Sequence, residues 1–208
     1  MKQVVINNLL SIIIDNKECS EKDIKVYKYG LDGLYNLITK TVVVLIITLL
    51  LNTAKEFGLI LLFYALLRTF GFGIHADSSL MCWISTLTIY VLGSLLVKEM
   101  ILTKEIALII WTFAFISFLL WAPADTPKRP LIRERQRKIQ KLKICIISLL
   151  YLLLIFFINS STVINAISYS LLIEMICVNP ITYKLTKTRF NNYKYYKKGL
   201  NDNKYIKD

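Results

Sequence analysis

Ile144-Cys-Ile-Ile-Ser-Leu-Leu-Tyr-Leu-Leu-Leu-Ile-Phe-Phe-Ile158 is fifteen consecutive residues without a charge, and the segment 128–143 just before it holds eight Lys or Arg. In water a helix this uniform would have no polar face to present. In a bilayer it comes close to spanning the hydrocarbon, since about 20 apolar residues cross it and shorter runs tilt or borrow flanking residues. The pattern repeats on both sides, at 41–54, 57–67, 80–97, 106–122 and 162–179, with charged connections between most of the runs. Six transmembrane helices are expected, the run at 57–67 being the shortest and ending on Arg68. With 55% hydrophobic residues and a mean hydropathy of +0.53, too little polar surface remains to cover a soluble core. The fold class is all-α, a polytopic integral membrane protein.

The chain divides into an N-terminal helical region at 1–36, a transmembrane body at 37–181 that includes a basic loop at 123–143, and a basic tail at 182–208. Residues 3–14 are apolar, but Asp15-Asn16-Lys17-Glu18 follows and offers no small-residue cleavage site, so no cleavable leader is expected there. Asn7, Asn8, Ser11 and Asp15 share one helical face, opposite Val4, Ile6, Leu10 and Ile13. That suits an interfacial helix lying on the membrane, and it suits an ordinary buried helix equally well.

Orientation follows from charge. Residues 123–143 carry eight Lys or Arg against Asp125 and Glu134, a surplus of six. Residues 182–208 carry eight against Asp202 and Asp208, again a surplus of six. The charges at Lys55-Glu56, Lys98-Glu99 and Lys104-Glu105 cancel, and 159–161 has none. With six spans both basic segments lie on the side of the N-terminus, and the positive-inside rule makes that side cytoplasmic. Topology thus accounts for the net charge of +12, and nucleic acid is not an expected partner. Cys19, Cys82, Cys145 and Cys177 fall on or near the same side, where thiols stay reduced, and their spacing matches no zinc ribbon. Pro123, Pro127 and Pro130 should keep the basic loop extended until past Leu131. There is no HExxH and no phosphate-binding glycine loop, so neither a metal nor a cofactor is expected.

Chemistry concentrates between the second and third spans. Arg68-Thr-Phe-Gly-Phe-Gly-Ile-His75-Ala-Asp-Ser-Ser-Leu-Met-Cys82 contains the chain's single histidine and its densest glycines. Gly71 and Gly73 permit backbone angles that end a helix, and Asp77, Ser78 and Ser79 are all good N-caps for the next one. With Ser79 as the cap, Cys82 would stand third in the helix, where the partial positive charge of the N-terminus favours thiolate. On one straight helix residues seven apart lie about 10 Å from each other. A dyad therefore needs the chain to bend between His75 and Cys82. Given that bend, the imidazole can take the thiol proton and the thiolate can attack an acyl carbon. On these residues alone, a packing cysteine and a merely polar histidine are the commoner reading of such a pair.

Gly73-Ile-His75-Ala76, with Cys82 seven residues after the histidine and Arg68 seven before it, resembles the signature of the accessory gene regulator protein B family. Ala122-Pro-Ala-Asp-Thr-Pro-Lys-Arg-Pro130 is similar to that family's proline-bearing segment at the head of its basic loop, and Tyr29-Gly-Leu31 is a third match. Phe72 stands where a small residue is more usual in the family. These proteins are bacterial membrane endopeptidases that mature quorum-sensing peptides. The resemblance implies Cys82 as nucleophile, His75 as general base, and Arg68 and Gly73 in support. It also implies a precursor signalling peptide as substrate, a thioester acyl-enzyme, cyclisation to a thiolactone, a homodimer, and a cytoplasm-facing site in the cell membrane. Outside that signature, Glu174 within the last span is a functional candidate by its position, and Arg133, Arg135 and Arg137 could grip an acidic peptide tail. Their alternatives are a structural carboxylate and a loop that anchors to lipid headgroups. The rival classes are a small peptide transporter or channel and a non-catalytic membrane scaffold. The absence of an inverted repeat weighs against transport.

Overall fold

The computed structural model describes residues 2–15, 20–74, 78–127 and 130–195, so His75, Cys19, Lys128, Arg129 and the end of the tail lie outside the described residues. Residues 1–50 form one compact unit and residues 51–208 a second. Among the described residues the regular elements are helices, and Phe72 and Ala124 form an isolated bridge.

In the first unit, α1 (Lys2–Asp15) packs on α2 (Glu21–Leu50), and Lys2 Nζ meets Asp32 Oδ1 at 2.8 Å. Among the described side chains of α1, Ile6 and Leu10 are buried, one helical turn apart, while Val4, Val5, Leu9 and Ile12 are exposed. α2 continues unbroken through residues 36 and 37, so the polar N-terminal stretch and the first span are one helix.

The second unit holds α3 (Ala54–Gly71), α4 (Ser79–Leu87), a π-helical turn (Thr88–Leu92), α5 (Gly93–Glu99), α6 (Lys104–Trp121), α7 (Glu134–Phe157), α8 (Ser161–Val178) and α9 (Pro180–Leu185). Five helical stretches are long and apolar enough to cross a membrane: Asp23–Leu50, Ser79–Glu99, Lys104–Trp121, Glu134–Phe157 and Ser161–Val178. The expected second span is α3, an 18-residue helix that carries Lys55, Glu56 and Arg68. The six expected spans are thus five apolar helices and one helix with charges at its ends. The first apolar run stops at Leu50 rather than 54: Asn52 turns the chain at φ 54°, and Ala54 already belongs to α3. As the prolines require, the basic loop becomes helical only at Glu134.

α8 is the hub, packed against α3, α5, α6 and α7. Its buried set includes the polar Asn165, Ser168, Ser170 and Glu174, while apolar side chains such as Phe113, Ile109, Leu150 and Leu153 on α6 and α7 face outward. This is the pattern lipid selects, with polar atoms inside and hydrocarbon outside. Hydrogen bonds then tie the helices. Asn165 Nδ2 donates to the carbonyls of Val97 (3.1 Å) and Met100 (2.7 Å), closing the C-terminal end of α5. Trp111 Nε1 donates to Ser148 O (2.7 Å) and Tyr151 Oη to Phe63 O (2.7 Å). Such interhelical bonds contribute about 0.6–2 kcal/mol each in a bilayer.

The π turn packs against Tyr169 of α8. A Cβ at Gly93 would lie 2.7 Å from Cε1 and Cζ of Tyr169, so glycine there lets the Tyr169 ring lie directly on the helix. The Tyr169 hydroxyl donates to Ile89 O at 3.0 Å, inside the turn. Widening the turn redirects Ile89 and Tyr90, both of which line the cavity described next.

Candidate active site

α3 ends at Gly71 because the next two residues leave helical space. Phe72 has φ 66° and ψ −101°, and Gly73 has φ 79°. For Phe72 this is a costly conformation, of order 1–3 kcal/mol. It is maintained by strand-like pairing on one side: Gly73 N–H donates to Ala124 O (2.8 Å), and Ala124 N–H to Gly71 O (3.0 Å). Ile74 is held at both ends. Its N–H donates to Cys177 O at 3.0 Å, satisfying a carbonyl in the last turn of α8, and its own carbonyl accepts from the Arg68 guanidinium.

α4 starts afresh at Ser79. Ser78, extended at φ −112° and ψ 155°, is the cap, and its Oγ accepts from Met81 N–H at 3.1 Å. Ser78 is one of the three candidate caps, and it lies one residue before Ser79. The shift of one residue makes Cys82 the fourth helical residue, still within the first turn, with its N–H donating to Ser78 O at 3.0 Å. Ser85 Oγ and Thr86 Oγ1 both donate to the Cys82 carbonyl (3.1 and 2.7 Å), fixing the backbone beneath the thiol. α3 stops at Gly71 and α4 begins at Ser79, so one straight helix does not carry Arg68 and Cys82 together.

Cys82 lines a cavity of about 490 Å³. Arg68 and Tyr64 of α3, Ile74, Tyr90 of the π turn, and Cys177 of α8 also line it. Tyr64 Oη lies 3.7 Å from Cys177 Sγ, and the Tyr64 and Tyr90 rings meet edge to face at 6.1 Å. Cys177 has no sequence signal as a site residue beyond its place one turn after Glu174, and Thr186 and Thr188, which close the cavity from the tail, have none. Glu174 is fully buried, with Oε2 3.7 Å from Arg68 Nη1.

Of the three arginines considered for gripping a peptide, Arg133 and Arg135 are exposed, whereas Arg137 turns inward. Its Nη1 lies 3.5 Å from Asp125 Oδ1 and its guanidinium 3.5 Å from the centre of the Tyr193 ring. Asp125, fully buried, also accepts from the N–H groups of Leu131 (3.3 Å) and Tyr193 (2.9 Å) through Oδ2. Tyr183 Oη donates to Ala124 O at 2.9 Å, and burial pushes that phenol up, which keeps it a donor. The proline-bearing segment is therefore a knot that ties the end of α3, the start of α7 and the tail together. Among the described residues no three histidine, cysteine or carboxylate side chains converge as a metal site would require.

The Accessory gene regulator B family model matches residues 6–178. The chain belongs to the Accessory gene regulator B family. It is 33% identical over 180 residues to an AgrB-like protein of Listeria innocua, covering 86% of this chain and 88% of the relative. An AgrB-like protein of Clostridium acetobutylicum is 29% identical over 168 residues, covering 80% and 79%. No solved structure matches. Membership in the AgrB family together with the apolar helices makes this a multi-pass membrane protein of the agr quorum-sensing system.

Proposed function

We propose that this AgrB-family protein is a membrane cysteine endopeptidase that cuts a precursor signalling peptide near its C-terminus and cyclises what remains. The observation that carries the reading is Cys82 itself: a thiol in the first turn of α4, on the wall of a cavity that Ile74, the residue before His75, also lines. His75 would take the Cys82 proton as sulfur attacks the scissile carbonyl, then return it to the departing amine. This leaves a thioester on Cys82 and releases the C-terminal fragment. A cysteine thiol within the bound peptide then attacks that thioester, giving the macrocyclic thiolactone and regenerating the Cys82 thiol. Exchange between thioesters is nearly energy-neutral, so the site must keep water away while the ring closes. Tyr64, Ile74, Met81, Ile89 and Tyr90 supply apolar walls for that purpose. The exposed Arg133 and Arg135 remain candidates for contacting an acidic peptide tail, and a homodimer is implied by the family resemblance.

The test is the intermediate. Protein in vesicles incubated with precursor should accumulate a covalent enzyme–peptide adduct labile to hydroxylamine. If cleavage proceeds and no adduct can be trapped at any time point, a direct hydrolytic route replaces the acyl-enzyme.

The proposed orientation has its own test. Cysteines introduced at Arg135, Tyr195 and Ser160 should divide by side: a thiol reagent that cannot cross membranes should label 160 in intact cells and miss 135 and 195. Labelling of 135 from outside would invert the topology and remove the site from the cytoplasmic face.

A further inference from the structure

Glu174 lies inside the last span, fully buried, and neither carboxylate oxygen accepts a hydrogen bond. A carboxylate there is expensive to keep, and an apolar residue of similar volume would pack the helices at least as well. Its charged neighbour is Arg68, which has two engagements at once. Nη1 lies 3.7 Å from Glu174 Oε2, and Nη2 donates to the Ile74 carbonyl. Both glycines of the loop make room for this pair. A Cβ at Gly71 would overlap the Glu174 carboxylate, and one at Gly73 would overlap the Arg68 guanidinium. One turn further along α8, the Cys177 carbonyl takes the Ile74 N–H at 3.0 Å. The end of α8 thus holds both main-chain groups of Ile74, one directly and one through Arg68.

We propose that Glu174 is a positioning residue for the reaction proposed above, on which this inference rests. It anchors Arg68 so that the guanidinium fixes the peptide unit leading into His75, and it keeps that guanidinium on the wall of the cavity. Arg68 borders open space. Without the carboxylate its long side chain is free to swing toward the cavity, and the Ile74 carbonyl loses its partner.

The experiment uses the full-length protein in vesicles, as wild type, Glu174→Gln and Glu174→Asp. Three rates or states are read: cleavage of precursor, alkylation of Cys82 by iodoacetamide without peptide (located by mass spectrometry), and thermal unfolding. Glu174→Gln should slow cleavage by about 100-fold, the scale expected when a catalytic group is misplaced by about 1 Å. It should also slow Cys82 alkylation, because a misplaced imidazole no longer draws the proton from sulfur. Glu174→Asp keeps the charge and should recover much of both rates. Wild-type rates in Glu174→Gln, or an Asp variant no better than Gln, overturns the proposal. So does faster alkylation with a lowered unfolding temperature, which would mean that Glu174 only holds the helices closed. Because alkylation needs no peptide, a wild type that cleaves nothing counts against the peptidase reading, while the alkylation ratio still decides the role of Glu174.

Discussion

Replacing Cys82 with alanine should abolish cleavage of the precursor, a loss on the order of 10⁴–10⁶-fold if the residue is the nucleophile. The other thiol on the described cavity wall, Cys177, is engaged with the Tyr64 hydroxyl, and the serine and threonine hydroxyls there are far weaker nucleophiles than a thiol. Cys82→Ser should be nearly as inactive, since a hydroxyl is far less acidic than a thiol and one imidazole activates it poorly. The same reasoning gives a clean control. Cys177→Ala removes a side chain and leaves the carbonyl that holds Ile74, so cleavage should persist, as it should in Cys145→Ala. The measurement is mass spectrometry of the peptide after co-expression with each variant. Precursor trimmed at its normal position by Cys82→Ala would remove the cysteine-peptidase reading and leave peptide export as the stronger account.

The second large effect is expected at Gly73. Alanine there must adopt φ 79°, a left-handed conformation that costs an L-residue roughly 1–2 kcal/mol. Its Cβ would also stand 2.8 Å from the Cys177 carbonyl oxygen and overlap Arg68. Neither neighbour can yield without releasing Ile74. Gly73→Ala should therefore cut processing by about 100-fold or more while the helices still insert. Gly58→Ala is the matched control, because a Cβ there meets nothing within 4 Å and the position is inside α3. That change should leave processing intact and raise stability by up to about 1 kcal/mol. Equal losses at both positions would show that glycine content matters for insertion rather than for the loop.

What was legible in the sequence follows from the kind of signal each feature leaves. Apolar runs such as 144–158 show through because lipid demands that every turn be apolar on its outer side, and α7 and α8 sit where those runs predict. The helix break between Arg68 and Cys82 was equally visible, since two glycines and three consecutive capping residues say that a helix stops and another starts. Which residue caps was not legible: Asp77, Ser78 and Ser79 are chemically interchangeable there, and the choice depends on how the loop arrives. The Arg68–Glu174 pair left no local trace, because its members belong to different helices and only tertiary packing joins them. The π turn was invisible for a related reason. It depends on a ring from α8 pressing against Gly93, and no periodicity in 79–99 announces that. Phe72, noted in the sequence for its size, bears positive φ without the freedom of glycine, and the Ala124 pairing that accompanies it comes from a distant segment.

The place of α8 in the chain has a consequence for biogenesis. Synthesis delivers Arg68, the glycine loop and Cys82 early, yet the residues that clamp that loop, Glu174 and Cys177, arrive only with the final span. A ribosome-bound chain lacking α8 has Cys82 but lacks the groups that hold Ile74 in place. On the proposed mechanism, activity would then be deferred until α8 has inserted, so that a chain still in synthesis would hold Cys82 without the arm that aligns its partner.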